Sequence, residues 1–517
     1  MTERRWLRAF RWLAALALSA VCLWRGADAA LAYFGSEDAY SYLSDWRAAA
    51  RDAPGGRLAL WCNDAGKISP VERSLLVAMA WERVPEPLAT ADAASDLRDI
   101  DCVLSSSWIS CANATKLMSA GFSVVSSNEY VKTWGRVDGT SRESGDSASI
   151  ACRRSLCSRG RVVPAIHREV VALAAELALA VLALSFAVGL RGVGTWPVVA
   201  SLAVCVLLGS VALSHPLLAP NGLGVYGGKA KMLFECGGMP DSFLASAGGE
   251  VLQPTYPPGL ALLAWLHFAL SGGCGDRLVQ LLVVFAMAAL CFAMQGRNSG
   301  LRHALPSVLY CLSAVAVRTS SGFYAEPFAA LALVLGWRMA GGGQRIPGAF
   351  VMGMAGLFRL EAGVVAAVFA AGSCVSGSGR RERLLVLAAS VLPSVCWHVA
   401  CKLLGYGSLP DWDIGVAPKM DQAVNAALVE AKALWVSVAP VAALAFLVRP
   451  VREMRPGPRT MRAFASLSLL LVLIPLACGF HASPYAGWMV DNTIPRLVWY
   501  VSAVPLFALV CSRERGA

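Results

Sequence analysis

Length, composition and charge exclude most soluble classes of protein. The chain has 517 residues, of which 56% are hydrophobic and only 15% are charged, and its mean hydropathy is +0.56. A soluble domain has roughly 45–50% apolar and about 25% charged residues, so a water-exposed surface cannot accommodate this surplus. A polytopic membrane protein remains. The net charge of +11 is explained by basic loops on one side of a membrane, so no nucleic-acid partner is predicted.

Apolar runs that approach the length of a transmembrane helix recur through the chain. A helix needs roughly 20 mostly apolar residues to cross the hydrocarbon core. About eleven spans are predicted on that criterion, at roughly 12–33, 167–190, 195–214, 277–295, 304–318, 322–337, 346–374, 384–403, 431–448, 463–479 and 496–511. A shorter apolar segment, 258–271, is predicted to be an interfacial helix that does not cross.

Basic residues indicate the orientation. Arginines between residues 4 and 11 precede the first span, so the positive-inside rule places the N-terminus in the cytoplasm. The later basic loops also fall in the cytoplasm if the segment 346–374 is broken into two half-helices. Arg359 and Glu361 give a reason for that break, because charges at bilayer depth are expected to face a protein cavity or the external surface. The sequence therefore predicts an integral membrane protein with loop 215–257 on the extracytoplasmic face.

The N-terminal third contains a polar region between the first two spans. Residues 1–33 are predicted to be a membrane anchor, with a signal peptide ending near Ala27-Asp28-Ala29 as the alternative. Residues 34–134 have the pattern of a small α/β domain, and 135–166 that of a linker. The predicted strands lie at 57–62, 101–104, 122–126 and 129–134, and the predicted helices at 69–83 and 111–120.

These segments together predict the fold class. It is an all-α polytopic membrane bundle, formed by residues 167–517, with one interfacial helix. A small extracytoplasmic α/β domain is inserted after the first helix.

The external loop 215–257 is the most informative polar stretch. It contains Tyr226, Lys229 and Lys231, followed by the carboxylates Glu235 and Asp241. Lysines offer point charges to a phosphate, and a carboxylate can take a proton from a hydroxyl. A loop of this kind beside an interfacial helix suits an anionic lipid head group at the membrane surface. An ordinary solvated loop is the alternative.

Five short motifs follow one another along the chain. They are Tyr226 with Lys229-Ala230-Lys231, Tyr256-Pro257-Pro258-Gly259-Leu260, Tyr324-Ala325-Glu326-Pro327, Phe358-Arg359-Leu360-Glu361-Ala362-Gly363, and Pro495-Arg496-Leu497. In this order they resemble the GT-C class of polytopic glycosyltransferases, in the group related to protein O-mannosyltransferases and bacterial lipid A aminoarabinose transferases. The resemblance covers about 195–511 of the chain.

The resemblance implies transfer of a sugar, by an inverting reaction, from a polyprenyl-phosphate donor to a lipid-linked, glycan or protein acceptor. The reaction would take place on the external face of a bacterial inner membrane, among membrane lipids, without a nucleotide sugar and without a cofactor. It also implies roles for individual residues. Cations would hold the donor phosphate: Lys229, Lys231, Arg359 and Arg496, with Arg318 in reserve. Glu326 and Glu361 would orient these cations or bind acceptor hydroxyls, with a structural ion pair as the alternative. Substrate contacts are expected from Tyr226, Tyr256, Trp488 and Asp491.

Two positions depart from the family pattern, and each loses a carboxylate. Asn221 stands where the family has the first-loop aspartate, and Thr255 stands where an acidic residue usually precedes Tyr-Pro-Pro. An amide does not usefully accept a proton at neutral pH. The predicted base is therefore Glu235, Asp241 or Glu326. The alternatives are an alignment shifted by a few residues and a chain without activity.

Other functions stay open at this stage. No Cys/His set has zinc spacing, and a divalent metal would depend on Asp411 with Asp413 or on Glu235 with Asp241. A non-catalytic binding or scaffold protein is one alternative to the transferase. A transporter or flippase is another, because charges inside the membrane can mark a substrate path, but no paired broken helices of the kind that transporter repeats show are evident.

Overall fold

The computed structural model describes the membrane part over residues 194–214, 222–236, 255–275, 277–295, 300–373, 379–403, 419–448, 457–480 and 486–511. Before residue 194 it describes five strands and several short helical pieces.

The strands form one mixed sheet. They are β1 (Leu58–Trp61), β2 (Glu86–Leu88), β3 (Cys102–Ser106), β4 (Phe122–Ser127) and β5 (Val131–Arg136). The order across the sheet is β2-β1-β3-β5-β4, with β1 parallel to β2 and β3, and β5 antiparallel to β3 and β4. The four predicted strands are thereby confirmed. β2 was not predicted, because its three residues, Glu-Pro-Leu, show no alternating pattern.

The predicted helices of this region are described only in part. Residues 117–119 of the predicted helix 111–120 are helical, and the predicted helix 69–83 lies outside the described residues.

The membrane part is helical throughout its described residues. Its helices are α1 (Thr195–Ser214), α2 (Lys229–Cys236), α3 (Gly259–Ser271), α4 (Leu281–Ala293), α5 (Leu301–Cys311), α6 (Ala314–Ser321), α7 (Glu326–Gly341), α8 (Arg345–Gly353), α9 (Ala362–Ser373), α10 (Arg380–Leu403), α11 (Met420–Leu447), α12 (Pro458–Gly479) and α13 (Ala486–Val510). A π-helical turn at Gly222–Gly228 leads into α2, and a second one at Leu434–Val438 interrupts α11.

Five of the described helices have the length and apolarity needed to cross a membrane. They are α1, α10, α11, α12 and the Thr493–Val510 part of α13. Large apolar side chains cover much of their outer surface, for example Leu202 of α1 and Val472 of α12. Because a soluble protein rarely exposes such broad apolar patches, the chain is a helical integral membrane protein. The number eleven stays a prediction, since the other predicted spans are shorter helices or are described only in part.

Several boundaries differ from the predicted ones; the last two helices, for example, begin at Pro458 and Ala486 rather than at 463 and 496. The segment predicted at 304–318 is divided into α5 and α6, which meet at an extended Ser313. The span predicted from 322 begins at Glu326. The span predicted from 431 begins at Met420. Its first three turns were missed because they carry Asp421 and Glu430, which lower the hydropathy that the prediction relied on.

The break predicted in 346–374 is confirmed. α8 continues as a 3-10 turn to Leu357, and α9 starts at Ala362. Small residues let the two halves lie against their neighbours: a Cβ atom on Gly348 would lie 2.6 Å from the carbonyl oxygen of Gly336 in α7. Both half-helices are therefore packed against protein, which is the condition under which a broken helix is tolerated in a membrane.

Arginines mark one end of the bundle. Arg338, near the end of α7, donates to the carbonyl oxygens of Ala293 (3.3 Å) and Gln295 (3.0 Å), and Arg459 of α12 donates to that of Trp337 (3.2 Å). We call this the basic end. Glu326 begins α7 at the opposite end, about 18 Å away at 1.5 Å per helical residue.

Candidate functional site

The site is centred on a carboxylate that is removed from solvent. Glu326 is the first residue of α7, followed by Pro327, and its side chain is completely buried. Its Oε1 atom accepts a hydrogen bond from Arg496 Nη1 at 2.9 Å and forms an ion pair with Arg359 Nη1 at 3.4 Å. An acidic residue at a helix N-terminus also interacts favourably with the helix dipole. Glu326 thus joins two cations that are 137 positions apart in the numbering.

The helix break positions the first of these cations. Arg359 lies between the 3-10 turn and α9, where the backbone has left helical geometry. Its Nε and Nη2 atoms lie 2.8 and 2.6 Å from Glu361 Oε1, and its guanidinium lies 5.6 Å from the centre of the Tyr256 ring. We use the name polar cluster for Tyr256, Glu326, Arg359, Glu361 and Arg496. A cation within about 6 Å of an aromatic face is attracted by it.

A strained turn supports the second cation. The Arg496 guanidinium lies 4.1 Å from the centre of the Tyr324 ring. Tyr324 follows Phe323, whose φ of 54° is in the left-handed region that non-glycine residues rarely adopt. A Cβ atom on Gly322 would collide with the Tyr324 ring. The Gly-Phe-Tyr turn between α6 and α7 therefore places an aromatic face beneath Arg496, and this local strain is typical of positions that the surrounding structure holds for a purpose.

The Tyr-Pro-Pro-Gly motif fits against the helix break. A Cβ atom on Gly259 would lie 2.6 Å from the Leu357 carbonyl oxygen and 2.8 Å from the Phe358 ring. Glycine at the start of α3 is therefore what lets this helix approach the break so closely. The approach brings Tyr256 to Arg359, and Tyr256 in turn contacts Tyr226 edge to face, with 6.0 Å between ring centres.

Lys229 adjoins the polar cluster through the backbone. Its side chain is only 1% exposed, and Nζ donates to the Tyr256 carbonyl oxygen at 3.0 Å. Burial lowers the pKa of Lys229 to about 7, since an ammonium is costly to remove from water. Burial also raises the pKa of Tyr256 to about 12 and that of Tyr226 well above 10. Both phenols are therefore neutral hydrogen-bonding groups at physiological pH.

Three buried oxygen atoms around the site have no hydrogen-bond partner among the described residues. They are Glu326 Oε2, Thr255 Oγ1 and Tyr500 Oη. Buried polar groups are nearly always satisfied by protein, water or ligand, and leaving one unsatisfied costs about 1–3 kcal/mol. Glu326 Oε2 belongs to the carboxylate that pairs with both arginines, so it is an acceptor available to a polar molecule at this site.

The structure brings together seven of the side chains that the sequence singled out: Tyr226, Lys229, Tyr256, Glu326, Arg359, Glu361 and Arg496. Others are placed less closely. Lys231 is half-buried two residues after Lys229, on a different face of α2, while Arg318 and Asp491 are exposed. Only the backbone of Glu235 and Trp488 is described, and Asn221 and Asp241 lie outside the described residues.

Two tyrosines of the site were not assigned roles from sequence. Tyr324 belongs to one of the five motifs, but its contact with Arg496 depends on a turn that hydropathy does not reveal. Tyr500 lies four residues after Arg496, so the two occupy the same face of α13. That spacing was the available signal, although a tyrosine in an apolar span is usually a packing residue.

The polar cluster has no net charge, because its cations and carboxylates are equal in number. Two guanidiniums and two carboxylates neutralise each other within the polar cluster, and burying such a set away from water is costly. An incoming phosphate would replace part of the carboxylate contacts of Arg359 and Arg496. Among the described residues, no three His, Cys, Asp or Glu side chains come close enough to hold a metal ion.

No family model, no curated protein and no solved structure matches the chain.

Proposed function

We propose that the protein is a membrane glycosyltransferase that moves a sugar from a polyprenyl-phosphate donor to a glycan, lipid or protein acceptor. The observation that carries the proposal is the convergence of Arg359 and Arg496 on buried Glu326, beside Tyr256 and Lys229. Oriented cations in a water-poor site stabilise charge that develops during a reaction far better than cations in water do. A phosphate leaving group is the species that would acquire such charge.

The bonds that form and break in the proposed reaction indicate what each group of the site would do. An acceptor hydroxyl oxygen bonds to the anomeric carbon while the bond from that carbon to the phosphate oxygen breaks. The bonding electron pair leaves with the phosphate, where Arg359 and Arg496 offset the added negative charge. The hydroxyl proton passes to a base. Glu235, Asp241 and Glu326 stay the predicted bases. Lys231 stays a predicted ligand of the donor phosphate, and Trp488 and Asp491 stay predicted substrate contacts.

Positive charge at the opposite end supports the proposed orientation. Arg338, Arg345 and Arg459 all lie at the basic end, and cytoplasmic loops are enriched in Lys and Arg. If the basic end is cytoplasmic, the polar cluster faces the extracytoplasmic side, where we place the reaction. A bacterial inner membrane is the setting that we propose for it.

Charge removal tests the transferase. In full-length protein reconstituted with membrane lipids, Arg359→Ala and Arg496→Ala should each lower formation of the glycan product at least 100-fold, because each removes a cation from the leaving group. Arg345→Ala is the matched control: Arg345 pairs with Glu382 at the basic end, where both side chains are partly exposed, and its loss should leave product formation within about twofold. Product formation that persists in both site variants would contradict the proposal.

One observation favours a second candidate, a non-catalytic binding or scaffold protein. Both arginines of the polar cluster are already paired with carboxylates of the same chain. Such pairs can serve only to hold helices together, without binding a substrate. The two functions differ in what Arg496→Ala does. A structural pair predicts loss of folded protein, whereas the transferase predicts loss of product from protein that still reaches the membrane in normal amount.

A further inference from the structure

A buried hydroxyl lies one turn beyond Arg496 and takes no part in the ion pairs. Tyr500 is completely buried, and its Oη atom has no partner among the described residues. It lies within electrostatic range of Glu361, Arg359 and Glu326. Residues four apart on a helix project to the same side, so Tyr500 extends the face of α13 that carries Arg496 toward the basic end.

One carboxylate of the polar cluster also has an oxygen atom that is not engaged in an ion pair. Glu326 Oε1 is occupied by the two arginines, whereas Oε2 is buried and has no partner among the described residues. A phenol can donate a hydrogen bond and an ionised carboxylate can only accept. Tyr500 and Glu326 therefore offer one donor and one acceptor, both desolvated, beside the two guanidiniums.

A neighbouring tyrosine shows how the same bundle satisfies a hydroxyl that has only a structural role. Tyr310 is buried as well, but its hydroxyl donates to the carbonyl oxygen of Trp499 and lies 3.4 Å from Ser502 Oγ. Its ring stacks on Trp499 with 5.0 Å between centres. Trp499 precedes Tyr500 directly, so protein partners for a phenol are available in this part of α13. Tyr500 makes no such bond to any residue that the structure describes.

We propose that Tyr500 and Glu326 Oε2 form a hydroxyl-recognition subsite that binds one hydroxyl group of the sugar. An alcohol matches the pair because it can donate to the carboxylate while it accepts from the phenol. A phosphate oxygen does not match, because an ionised carboxylate repels it. The arginines thus select the anionic part of the substrate, and Tyr500 with Glu326 selects its polyol part. This inference rests on the proposed function and specifies which part of the donor enters deepest.

The subsite should discriminate strongly between substrates. A site built to hydrogen-bond a hydroxyl rejects an analogue that lacks it, because the buried donor and acceptor are left unpaired. We expect one particular monodeoxy sugar to bind at least tenfold more weakly than its parent hexose. The other monodeoxy isomers should bind within about threefold of the parent, because only one hydroxyl enters the subsite.

Binding of short-chain donors to the full chain in lipid nanodiscs tests this inference. The probes are farnesyl-phosphate hexoses of several configurations and the monodeoxy analogues of whichever hexose binds best. Tyr500→Phe removes one hydroxyl and should reduce the preference for the parent over the critical deoxy sugar from at least tenfold to below twofold. Its thermal midpoint should not fall, because no internal hydrogen bond is lost. Tyr310→Phe is the control, and it should lower the midpoint without changing that preference.

The outcomes separate this inference from the function on which it rests. If the wild type binds the hexoses but tolerates every deoxy position equally, the subsite is refuted while the transferase stands. If Tyr500→Phe keeps the tenfold preference, the hydroxyl is satisfied by water alone and the subsite is also refuted. If no farnesyl-phosphate hexose binds the wild type more tightly than farnesol does, the donor class itself is wrong.

Discussion

At the scale of single residues, Lys229 shows what burial does to a charge. The pKa of its amine is lowered to about 7, so near neutral pH roughly half of the molecules carry no charge there. The two arginines keep their charge at any physiological pH. In the proposed reaction they therefore supply the lasting positive charge, and Lys229 contributes a charge that depends on pH.

This lowered pKa predicts a pH-dependent stability with a definite sign. Between about pH 7 and pH 10 the unfolded chain binds a proton at Lys229 that the native protein does not, so the free energy of unfolding rises with pH. Below about pH 7 the native protein holds a desolvated ammonium, and the penalty is complete. Lys229→Met removes the titration. The apparent unfolding midpoint of the wild type minus that of the variant should rise steadily from pH 6.5 to about pH 9.5; parallel curves would show that Lys229 stays charged.

Sequence identified every member of the polar cluster and missed two tyrosines, Tyr324 and Tyr500, that lie beside it. Arg359 and Glu361 were recognisable because a charge within an apolar run is costly and needs a reason, and Arg496 was recognisable from the family resemblance. Tyr324 and Tyr500 carry no such cost. Their importance depends on a left-handed backbone at Phe323 and on which side of α13 meets Glu326, and both are properties of the packed structure.

At the scale of secondary structure, the contact between α3 and the broken helix holds the site together. Sequence predicted the interfacial helix and the break separately, because each leaves a mark on hydropathy. It did not predict that they touch. Gly259 lies at the contact. Any side chain at this position would collide with the Leu357 carbonyl oxygen and the Phe358 ring.

Gly259→Ala should therefore damage the site from a distance. The added methyl group meets a backbone oxygen at 2.6 Å and a ring at 2.8 Å, and overpacking of this kind costs about 1–3 kcal/mol. We expect a lower thermal midpoint and at least a tenfold loss of transfer, because α3 carries Tyr256 away from Arg359. Gly300→Ala is the matched control, as that position has open space around it and an ordinary φ of −76°. Equal midpoints for the two variants would show that α3 yields without strain.

At the scale of the whole molecule, the N-terminal segment belongs to the bundle. Ala15 is buried in the main hydrophobic core, and Ser19 beside it donates to the Ala15 carbonyl oxygen at 2.7 Å. Arg25 Nη1 lies 3.4 Å from the Val436 carbonyl oxygen, inside the π-helical turn of α11. The sequence left a cleaved signal peptide open as the alternative, because hydropathy cannot show what a segment packs against.

These contacts predict that the segment is retained. The mass of the purified protein should include residues 1–29, since their removal would expose the core surface on which Ala15 lies. Intact-mass measurement decides the matter, and a mature N-terminus directly after Ala29 would contradict the prediction. Arg25→Ala should lower the thermal midpoint slightly and leave the N-terminus unchanged.

The distance along α7 has a consequence for the surrounding lipid. Glu326 and Arg338 are separated by about 18 Å, whereas the hydrocarbon layer of a bilayer is about 30 Å thick. With Arg338 anchored at one boundary, Glu326 would lie well below the opposite headgroups. For a lipid head group to reach this depth, either the lipid must move toward the bilayer centre or the leaflet must become thinner locally. Either change has a modest free-energy cost for each ångström. The acyl-chain length of the host membrane would then determine how readily such a lipid binds at the polar cluster.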